Sequence, residues 1–488
     1  MVIKMKKLLK LNLILLLLVT FSCEDTLDEV VYSQLAPENF LVTQEGLESI
    51  LFASYSQAYQ NGYSHHSVRN VLDWCTDIEW ETGGGENLTA VLMINFTWDP
   101  TLGWLYGEMW QKPYRGIRNA NIVLENLEGA EISTETKTLF AAEARFLRAL
   151  AYSNLYNWYG PVPLRLSTSD ELSIGRSTDE EMKSFIETEL LAVIPDLPAP
   201  GAEAAGGRAT SGAARALLAK FYLNTKQWQK AADMAKAVMD MGKYSLYPDY
   251  EMMFHVENEI NSEFILSYPQ LAGQQGCNYM NGAFPPGFKS DPRTGLQFIS
   301  SWRNWAAQYR LYDDFFNSFE DGDLRKNLII SEYINNDDEL VSLLDANNTR
   351  SFKYWPDPNG TGNEHGNDVA AIRYSDILLS RAEALNEVNG PNQESVDLIN
   401  LVRDRAGLEP ILLTDFGSKE ALRMHLLDER SWEFYSEGLR REDQIRMGTF
   451  ISSAIARGHA NAKDFRVRFP IPQSALDANP ELKQNDGY

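Results

Sequence analysis

The sequence predicts a mainly α-helical fold, in which tetratricopeptide-like helical hairpins are joined by long irregular loops with a minor β component. Apolar residues recur at helical spacing over much of the chain, for example between residues 134 and 159. Small residues recur where paired helices approach closely, in segments 208–241 and 376–407. Segments 243–310 and 331–371 are instead rich in Gly, Pro, Asn and aromatic residues, which favours loops.

Three helices are predicted in the N-terminal third. The first is amphipathic and covers Leu47 to Tyr59, and the second covers residues 104–127, where Pro113 predicts a kink or break. The third begins after Ser133, a residue type that caps helix N-termini, and ends at Gly160, which is followed by proline.

A further helix is predicted over residues 178–194. It is followed by a Gly-, Ala- and Pro-rich segment over 197–212, which is predicted to be a flexible linker and leads to the hairpin segments. In the first hairpin, Ala219 and Tyr222 have the small-x-x-Tyr spacing of a tetratricopeptide repeat. The second has a similar design around Ala384. Two unrelated helical hairpins are the alternative.

The first 22 residues have the composition of a secretory signal peptide. They contain four lysines and no acidic residue, and residues 13–19 are an unbroken run of Leu, Ile and Val. A membrane-spanning helix needs about 20 apolar residues, so this run is too short to remain as an anchor. We therefore expect residues 1–22 to be removed.

Cys23 follows that segment directly. No A-x-A-like cleavage site precedes it, and Ser22-Cys23 resembles the lipobox of bacterial lipoproteins, although Thr20 stands where leucine is usual. We expect Cys23 to be lipidated. An ordinary signal peptide that happens to contain a cysteine is the alternative. The acidic residues between 24 and 29 resemble the anionic tag of lipoproteins exported to the outer face of an outer membrane.

Charge and length restrict the class of protein. The formal net charge is −24, and it becomes −28 when the four lysines of the leader are removed. Such an acidic chain is not expected to bind nucleic acid, which requires Lys and Arg to neutralise phosphates. The mature chain can form a large core, and we predict two regions, 23–230 and 231–488, packed as one globular unit.

Few residues suggest a metal or cofactor site, and we predict no cofactor. The six histidines have no metal-ligand spacing, and the glycine-rich stretch at Gly83 lacks the lysine and the strand-helix frame of a phosphate loop. The stretch from Asp357 offers oxygen ligands for a structural Ca²⁺ but not in EF-hand order. Cys75 and Cys277 are predicted to be unpaired, partly buried thiols, with a disulfide as the alternative.

Several stretches, in order, resemble one family. Besides the lipobox, they are "AEARFLRALAYSNLYNWYGPVPL", "GRATSGAARALLAKFYLNTKQWQKAADMAKAVMDMGKYSLYPDY", "AIRYSDILLSRAEALNEV" with "LINLVRDRAGL", "LLDERSWEFYSEGLRREDQIRMG" and "RFPIPQSALDANPELKQNDGY". Together they resemble the SusD/RagB family of surface lipoproteins, over the length from Cys23 to Tyr488.

The resemblance implies a function in nutrient uptake. It implies a tetratricopeptide-like fold and a lipid anchor in the outer membrane, with the protein facing the cell exterior. It also implies capture of a glycan and its delivery to a SusC-like TonB-dependent transporter. The family's sugar-binding aromatic residues lie in variable loops, so the resemblance assigns no binding residue to this chain.

Candidate ligand-binding residues come from two loops, because flat aromatic rings stack on the C–H faces of sugars while amides and charged groups bind hydroxyls. The first loop, before the second helix, offers Trp80, Asn87, Asn95, Trp98 and Asp99. The second is a long insert that offers Tyr279, Phe284, Arg293, Trp302, Trp305 and Tyr309. The alternative for each aromatic residue is burial in the core.

The motif at Glu429, Glu433 and Glu437 also invites interpretation as a catalytic site. These residues repeat every four positions with arginines between them, so their carboxylates share one helix face and cannot flank a bond. We predict a structural ion-pair network and no enzymatic activity. Two rivals remain at this point: a secreted all-helical glycoside hydrolase and a tetratricopeptide protein-binding scaffold.

Overall fold

The computed structural model describes residues 40–59, 68–274, 276–305 and 308–488. Most of its regular structure is helical, which confirms the predicted fold class. The α-helices are α1 (Gln44–Ala58), α2 (Asn70–Asp73), α3 (Asn87–Ile94), α4 (Lys112–Asn126), α5 (Thr134–Tyr159), α6 (Asp179–Val193), α7 (Ser211–Asn224), α8 (Trp228–Met239), α9 (Tyr279–Ala283), α10 (Asp313–Asn317), α11 (Tyr374–Asn389), α12 (Gln393–Arg405), α13 (Lys419–Phe434), α14 (Arg440–Met447), α15 (Phe450–Ala456) and α16 (Gln473–Ala478). A π-helix (Leu105–Gln111) precedes α4.

The helices pack as hairpins, as predicted. Helices α7 and α8 form one pair, α11 and α12 form another, and α8 of the first packs on α11 of the second. Ala219 and Ala384 are fully buried between helices, because a small side chain allows two helices to approach closely. Helix α1 packs on α4, and α4 packs on α5.

The predicted helix ends are present with their capping interactions. The Ser133 hydroxyl accepts a hydrogen bond from the Thr136 amide at the start of α5. Gly160 ends that helix with a φ of 75°, a conformation that glycine adopts without strain. Pro113 lies in the first turn of α4, where its missing N–H is tolerated, and the preceding turns form the π-helix.

Strands are short and paired at long range. They are β1 (Glu79–Glu81), β2 (Phe264–Tyr268), β3 (Phe288–Ser290), β4 (Tyr309–Leu311), β5 (Ile329–Ile330), β6 (Glu332–Asn335), β7 (Leu340–Ser342), β8 (Arg350–Ser351) and β9 (Val369–Arg373). All pairs are antiparallel: β1 with β4, β2 with β9, β5 with β8, and β3, β6 and β7 in one sheet.

The largest hydrophobic cluster extends from Leu47 in α1 to Leu482 near the C-terminus. The predicted boundary between residues 230 and 231 lies inside α8, and the division into two regions stays a prediction. Cys75 and Cys277 are both buried and unpaired, which confirms the expectation of free thiols. Among the described residues, no helix combines the length and hydropathy that crossing a membrane requires.

The predicted flexible linker is partly packed into the fold. Arg208, Ala209 and Thr210, in its second half, are each at most 8% exposed. The Arg208 guanidinium lies 2.9 Å from a Glu143 carboxylate oxygen, so a residue of the linker forms an ion pair with the centre of α5. This contact also explains why α5 can bury Glu143, since a buried charge needs a partner.

A second core is ionic and is formed by the glutamates of α13 and the residues that follow it. Glu433 lies between Arg325, Arg373 and Arg405, with nitrogen–oxygen distances of 3.5, 2.8 and 2.6 Å. Glu437 lies 2.6 Å from the Lys353 ammonium group. These carboxylates are therefore partners in a buried ion-pair network, which confirms the structural interpretation of the motif.

Candidate functional site

The antiparallel pair of β1 and β4 brings the two predicted loops together. Trp80 lies opposite Arg310 in this pair, while Glu79 and Glu81 lie opposite Leu311 and Tyr309. Successive side chains of a strand point to opposite faces. Accordingly Trp80 and Arg310 are only partly buried, whereas their neighbours on both strands are buried. The pair thus has an outer face formed by an indole ring and a guanidinium group.

The outer face is extended by a third side chain. The Arg310 guanidinium carbon lies 5.0 Å from the centre of the Trp80 ring, and the Tyr312 ring is stacked near Trp80 at 6.3 Å and 24°. We call Trp80, Arg310 and Tyr312 the aromatic platform. Flat rings beside a cation form a surface on which a sugar ring can stack while its hydroxyls meet hydrogen-bond donors.

The platform is held from the side by the loop before β8. The Trp80 indole N–H donates to the carbonyl oxygen of Asn347 at 2.9 Å. Asn347 and Asp313 in turn exchange two hydrogen bonds of 2.8 Å, each from a backbone amide to the other side chain. Because its indole N–H is already bonded, Trp80 has a defined ring orientation before any ligand arrives.

The side chain of Trp305, just before β4 in the long insert, is a second partly exposed indole. The indole N–H of Trp305 donates to the side-chain oxygen of Asn363 at 3.1 Å. The backbone carbonyl of Trp305 accepts a hydrogen bond from the side-chain amide of Gln308 at 3.2 Å. The backbone carbonyl of Gln308 in turn accepts from the backbone amide of Thr82 at 3.1 Å. Trp305 is therefore joined to the end of β1 through one intermediate residue.

The glycine-rich stretch after β1 makes a close contact that requires glycine. The Gly84 backbone has a φ of 62°, and a Cβ atom built there would lie 1.7 Å from the side-chain nitrogen of Gln308. Only glycine allows this approach without displacing Gln308. The stretch is therefore a close contact between the two loops.

A polar cleft of about 560 Å³ borders the platform at Tyr312 and Asn347. Its other walls carry charged and hydroxyl side chains. They are Asp77, Asp314, Ser318, Asp428, Ser431, Arg440, Arg457 and His459, together with Phe315. Aromatic rings at one edge and hydrogen-bonding groups within are the combination that carbohydrate recognition requires. A tetratricopeptide scaffold is predicted to lack such a platform, so this geometry favours the ligand-binding hypothesis over that rival.

The inner face of β1 contains buried carboxyl groups. Burial raises the pKa of Glu79 to about 8, with a further contribution from Asp73. Burial also raises the pKa of Glu81 to about 8, assisted by Glu86 and opposed by Arg310. Both groups are therefore expected to hold protons near neutral pH, which avoids a cluster of buried negative charges beneath the platform.

These shifts predict a loss of stability as pH rises. A carboxyl group with a raised pKa in the folded state stabilises the protein fully below its ordinary pKa and progressively less up to its folded-state value. For Glu79 this window extends from about 4.5 to about 8. We expect the free energy of unfolding to fall between pH 5.5 and 8.5, by at most about 1.4 kcal/mol per pH unit for one group. The measurement is urea denaturation at four pH values.

Glu79→Gln tests the assignment because glutamine resembles the protonated acid. It should reduce the pH dependence, whereas Glu420→Gln, at an exposed position of α13, should leave the slope as in the wild type. An identical slope in Glu79→Gln and the wild type would show that Glu79 does not carry the effect.

Five of the predicted aromatic ligands belong to the core instead. The exposed fraction is at most 4% for each of Trp98, Tyr279, Phe284, Trp302 and Tyr309. The indole N–H of Trp98 donates to the Tyr488 hydroxyl at 2.8 Å, and that of Trp302 donates to the Asp357 carbonyl at 2.8 Å. With no accessible ring face, these residues are removed from the candidate site.

The polar candidates are distributed over several places. Asn87 lies at the start of α3, where its side-chain oxygen accepts a hydrogen bond from the Gly83 amide, just after β1, at 2.9 Å. Asn95 ends α3 and is exposed, and Asp99 accepts two hydrogen bonds from Thr101. Arg293 donates to the carbonyl of Asn327, so the structure does not bring it to the platform. Of the predicted set, only three residues lie where β1 meets the long insert that contains β4: Trp80, Asn87 and Trp305.

Four residues of the site were not predicted from the sequence. Arg310 and Tyr312 occur in "YRLYDD", where every second residue shares a strand face, so the alternation could have indicated them. Asn347 and Asn363 have no sequence signal, because they reach the two indoles from distant loops.

The predicted calcium segment adopts a turn stabilised by its own carboxylate. Asp357 accepts hydrogen bonds from the amides of Asn359 and Gly366 at 2.7 and 2.8 Å. Across residues 40–59, 68–274, 276–305 and 308–488, no group of three or more His, Cys, Asp or Glu side chains is placed to hold a metal ion. Whether calcium binds stays a prediction.

Two family models match the chain and together cover most of it. The model described as "SusD family" matches residues 288–488, and the model described as "Starch-binding associating with outer membrane" matches residues 25–223. The chain belongs to the SusD/RagB family. SusD/RagB membership agrees with the predicted absence of enzymatic activity, since the family consists of binding proteins.

Relatives of this SusD/RagB chain match over nearly its full length. SusD-like protein P25 of Formosa agariphila is 26% identical over 96% of both chains. The starch-binding protein SusD of Bacteroides thetaiotaomicron is 25% identical, over 83% of this chain and 82% of the relative. Among solved structures, surface glycan-binding protein A from the latter organism, in complex with laminarihexaose, has a TM-score of 0.75 and 20% identity, over 91% of this chain and 99% of the other.

Proposed function

We propose that this protein binds a glycan at the aromatic platform and delivers it to a SusC-like TonB-dependent transporter of the outer membrane. The observation that carries the proposal is the outer face of the β1–β4 pair, where Trp80, Arg310 and Tyr312 form one surface beside a polar cleft. Family membership supports a binding function, and relatives whose names include starch and laminarihexaose support a glycan as the ligand.

The chemistry of the platform suits a sugar chain. A sugar ring stacks on the indole of Trp80 through its C–H face, and the Arg310 guanidinium donates hydrogen bonds to hydroxyl oxygens beside that ring. The side chains of the adjacent cleft bind further hydroxyls along the chain. A screen of the mature protein against an array of oligosaccharides tests the proposal. Absence of binding to any glycan would overturn it.

The protein is proposed to be lipid-anchored through Cys23, which lies outside the described residues. The family description that includes association with the outer membrane supports this location. Replacing Cys23 with alanine should release the protein from the membrane fraction or stall removal of residues 1–22, because acyl chains on this cysteine would supply the anchor. Immunoblots of membrane and soluble fractions measure the change. Membrane retention equal to that of the wild type would contradict the anchor.

The transporter partner is proposed from the family alone. A binder held beside a channel works through high effective concentration, so capture does not require very tight binding. Affinity purification of the full-length protein from membranes in mild detergent should recover a large outer-membrane barrel protein, identified by mass spectrometry. A soluble Cys23→Ala form added to the same extract is the control for adventitious association. Recovery of no barrel protein with the anchored form would count against the partnership.

A further inference from the structure

A second cleft lies between the π-helix, α4, the loop 163–172 and α16. Its volume is about 640 Å³, within the range of sites that bind small ligands. None of its lining residues belongs to the aromatic platform or to the cleft beside it. The site that the proposed function uses therefore does not account for it.

One wall is a seven-residue π-helix, Leu105–Gln111, and three of its residues, Tyr106, Trp110 and Gln111, line the cleft. Helices of this type are rare and often occur at functional sites, because the wider turn displaces side chains from the regular α-helical positions. Here the wider turn ends where α4 begins, next to Pro113. The side chains of this helix contribute two aromatic rings and an amide to the cleft.

Tyr114, on α4, adds another aromatic ring to this wall. Trp110 and Tyr114 have ring centres 5.1 Å apart, and the Tyr114 hydroxyl donates to the Pro163 carbonyl at 2.8 Å. That bond joins α4 to the opposite wall and orients the ring. Tyr106 and Tyr114 are only partly buried, so both rings retain accessible surface.

The charged side chains of the cleft are mainly positive, whereas the chain as a whole is negatively charged. Arg115 and Arg118 are exposed on α4, and neither lies within 4.0 Å of a carboxylate among the described residues. Arg165, from the facing loop, donates to the carbonyl oxygens of Glu171 and Leu172 at 2.8 and 2.5 Å, and it has no carboxylate partner in the same part of the chain. Three guanidinium groups therefore line one cleft of a protein whose net charge is −24.

The nearby acids do not neutralise these cations by direct pairing. Asp170 is the one acidic residue among the described residues that line the cleft, and one of its oxygens accepts the amides of Leu166 and Ser167. Glu125, on α4, accepts hydrogen bonds from Ser167 and Thr168. These carboxylates stabilise the loop, and the exposed side chains of Arg115 and Arg118 remain available to a ligand.

We infer that this cleft is a second saccharide-binding site, specific for an anionic sugar. Carboxylate and sulfate oxygens are the groups that arginine binds with paired, charge-assisted hydrogen bonds, and the tyrosine rings supply stacking surface for the sugar ring. The two anionic chemistries, uronic acid and sulfate ester, share this recognition. The inference rests on the proposed function only for the choice of a saccharide as the ligand.

The test is calorimetric titration of the mature chain at low salt. Three probes are used: a galacturonic acid trisaccharide, a sulfated galactan trisaccharide and neutral laminarihexaose. The double variant Arg115→Gln/Arg118→Gln should lose at least about tenfold in affinity for an anionic probe, because two charged donors are removed. The control Lys243→Gln/Lys463→Gln removes two exposed positive charges outside the cleft and should bind as the wild type does. Melting temperatures verify that both variants are folded.

The results separate this inference from the proposed function. Trp80→Ala should weaken binding of a neutral glycan while leaving the anionic probe unaffected. Loss of both in Trp80→Ala would show a single site and overturn the inference. Failure of both anionic probes to bind the wild type would also overturn it, as would equal losses in the arginine and lysine variants. Binding of the anionic probe alone, lost in the arginine variant, would support the second site even if the platform bound no glycan.

Discussion

Replacing Glu433 with glutamine should lower the free energy of unfolding by about 3–5 kcal/mol, the typical effect of breaking a buried ion pair on one side. Glu433 is fully buried between three arginines, of which Arg373 and Arg405 approach a single carboxylate oxygen at 2.8 and 2.6 Å. These interactions lower the pKa of Glu433 despite its burial. Glutamine retains the shape but removes one of the negative charges that the three guanidinium groups share.

The measurement is urea denaturation followed by tryptophan fluorescence. Glu420→Gln is the matched control, because it is the same substitution on the same helix at a side chain that is 61% exposed and paired with Arg423. Surface changes of this kind alter stability by about 0.5 kcal/mol or less. If Glu433→Gln were no more destabilising than Glu420→Gln, the network would not contribute to the stability of the fold.

Replacing Trp80 with alanine should weaken glycan binding by at least about 2 kcal/mol, roughly 30-fold in the dissociation constant. The variant removes the ring against which Arg310 and Tyr312 pack, so the stacking surface is lost. Stability should change far less, since Trp80 is partly exposed and lies outside the hydrophobic clusters. Calorimetric titration with the strongest ligand from the array, paired with a melting curve, measures both effects.

Two other tryptophans make this result decisive. Trp228, partly buried at the start of α8, is the control for loss of a half-exposed indole, and Trp228→Ala should bind glycan normally. Trp98→Ala should show the opposite pattern to Trp80→Ala, because truncating a buried tryptophan costs about 3–5 kcal/mol of stability. Normal binding by Trp80→Ala would place the glycan site elsewhere on the protein.

The helical part of this protein could be predicted from its sequence because the signals are local. Ser133 and Gly160 mark the ends of α5 through interactions within a few residues. Pro113 predicts a kink or break for an equally local reason, its missing N–H, and the structure has a change from π-helix to α-helix beside it. The repeated glutamates of α13 indicated an ion-pair network through their spacing, although the sequence did not show which arginines bind Glu433.

The sequence by itself thus determined the longer helices, their paired arrangement and the family, whose motifs lie in helices and in the C-terminal segment. The proposed binding surface was decided by the tertiary structure. Trp80 and Trp98 look alike in the sequence, yet pairing with β4 places one on an outer face and packing against Phe469 buries the other. Exposure depends on contacts with residues more than 200 positions away, and no local pattern encodes such contacts.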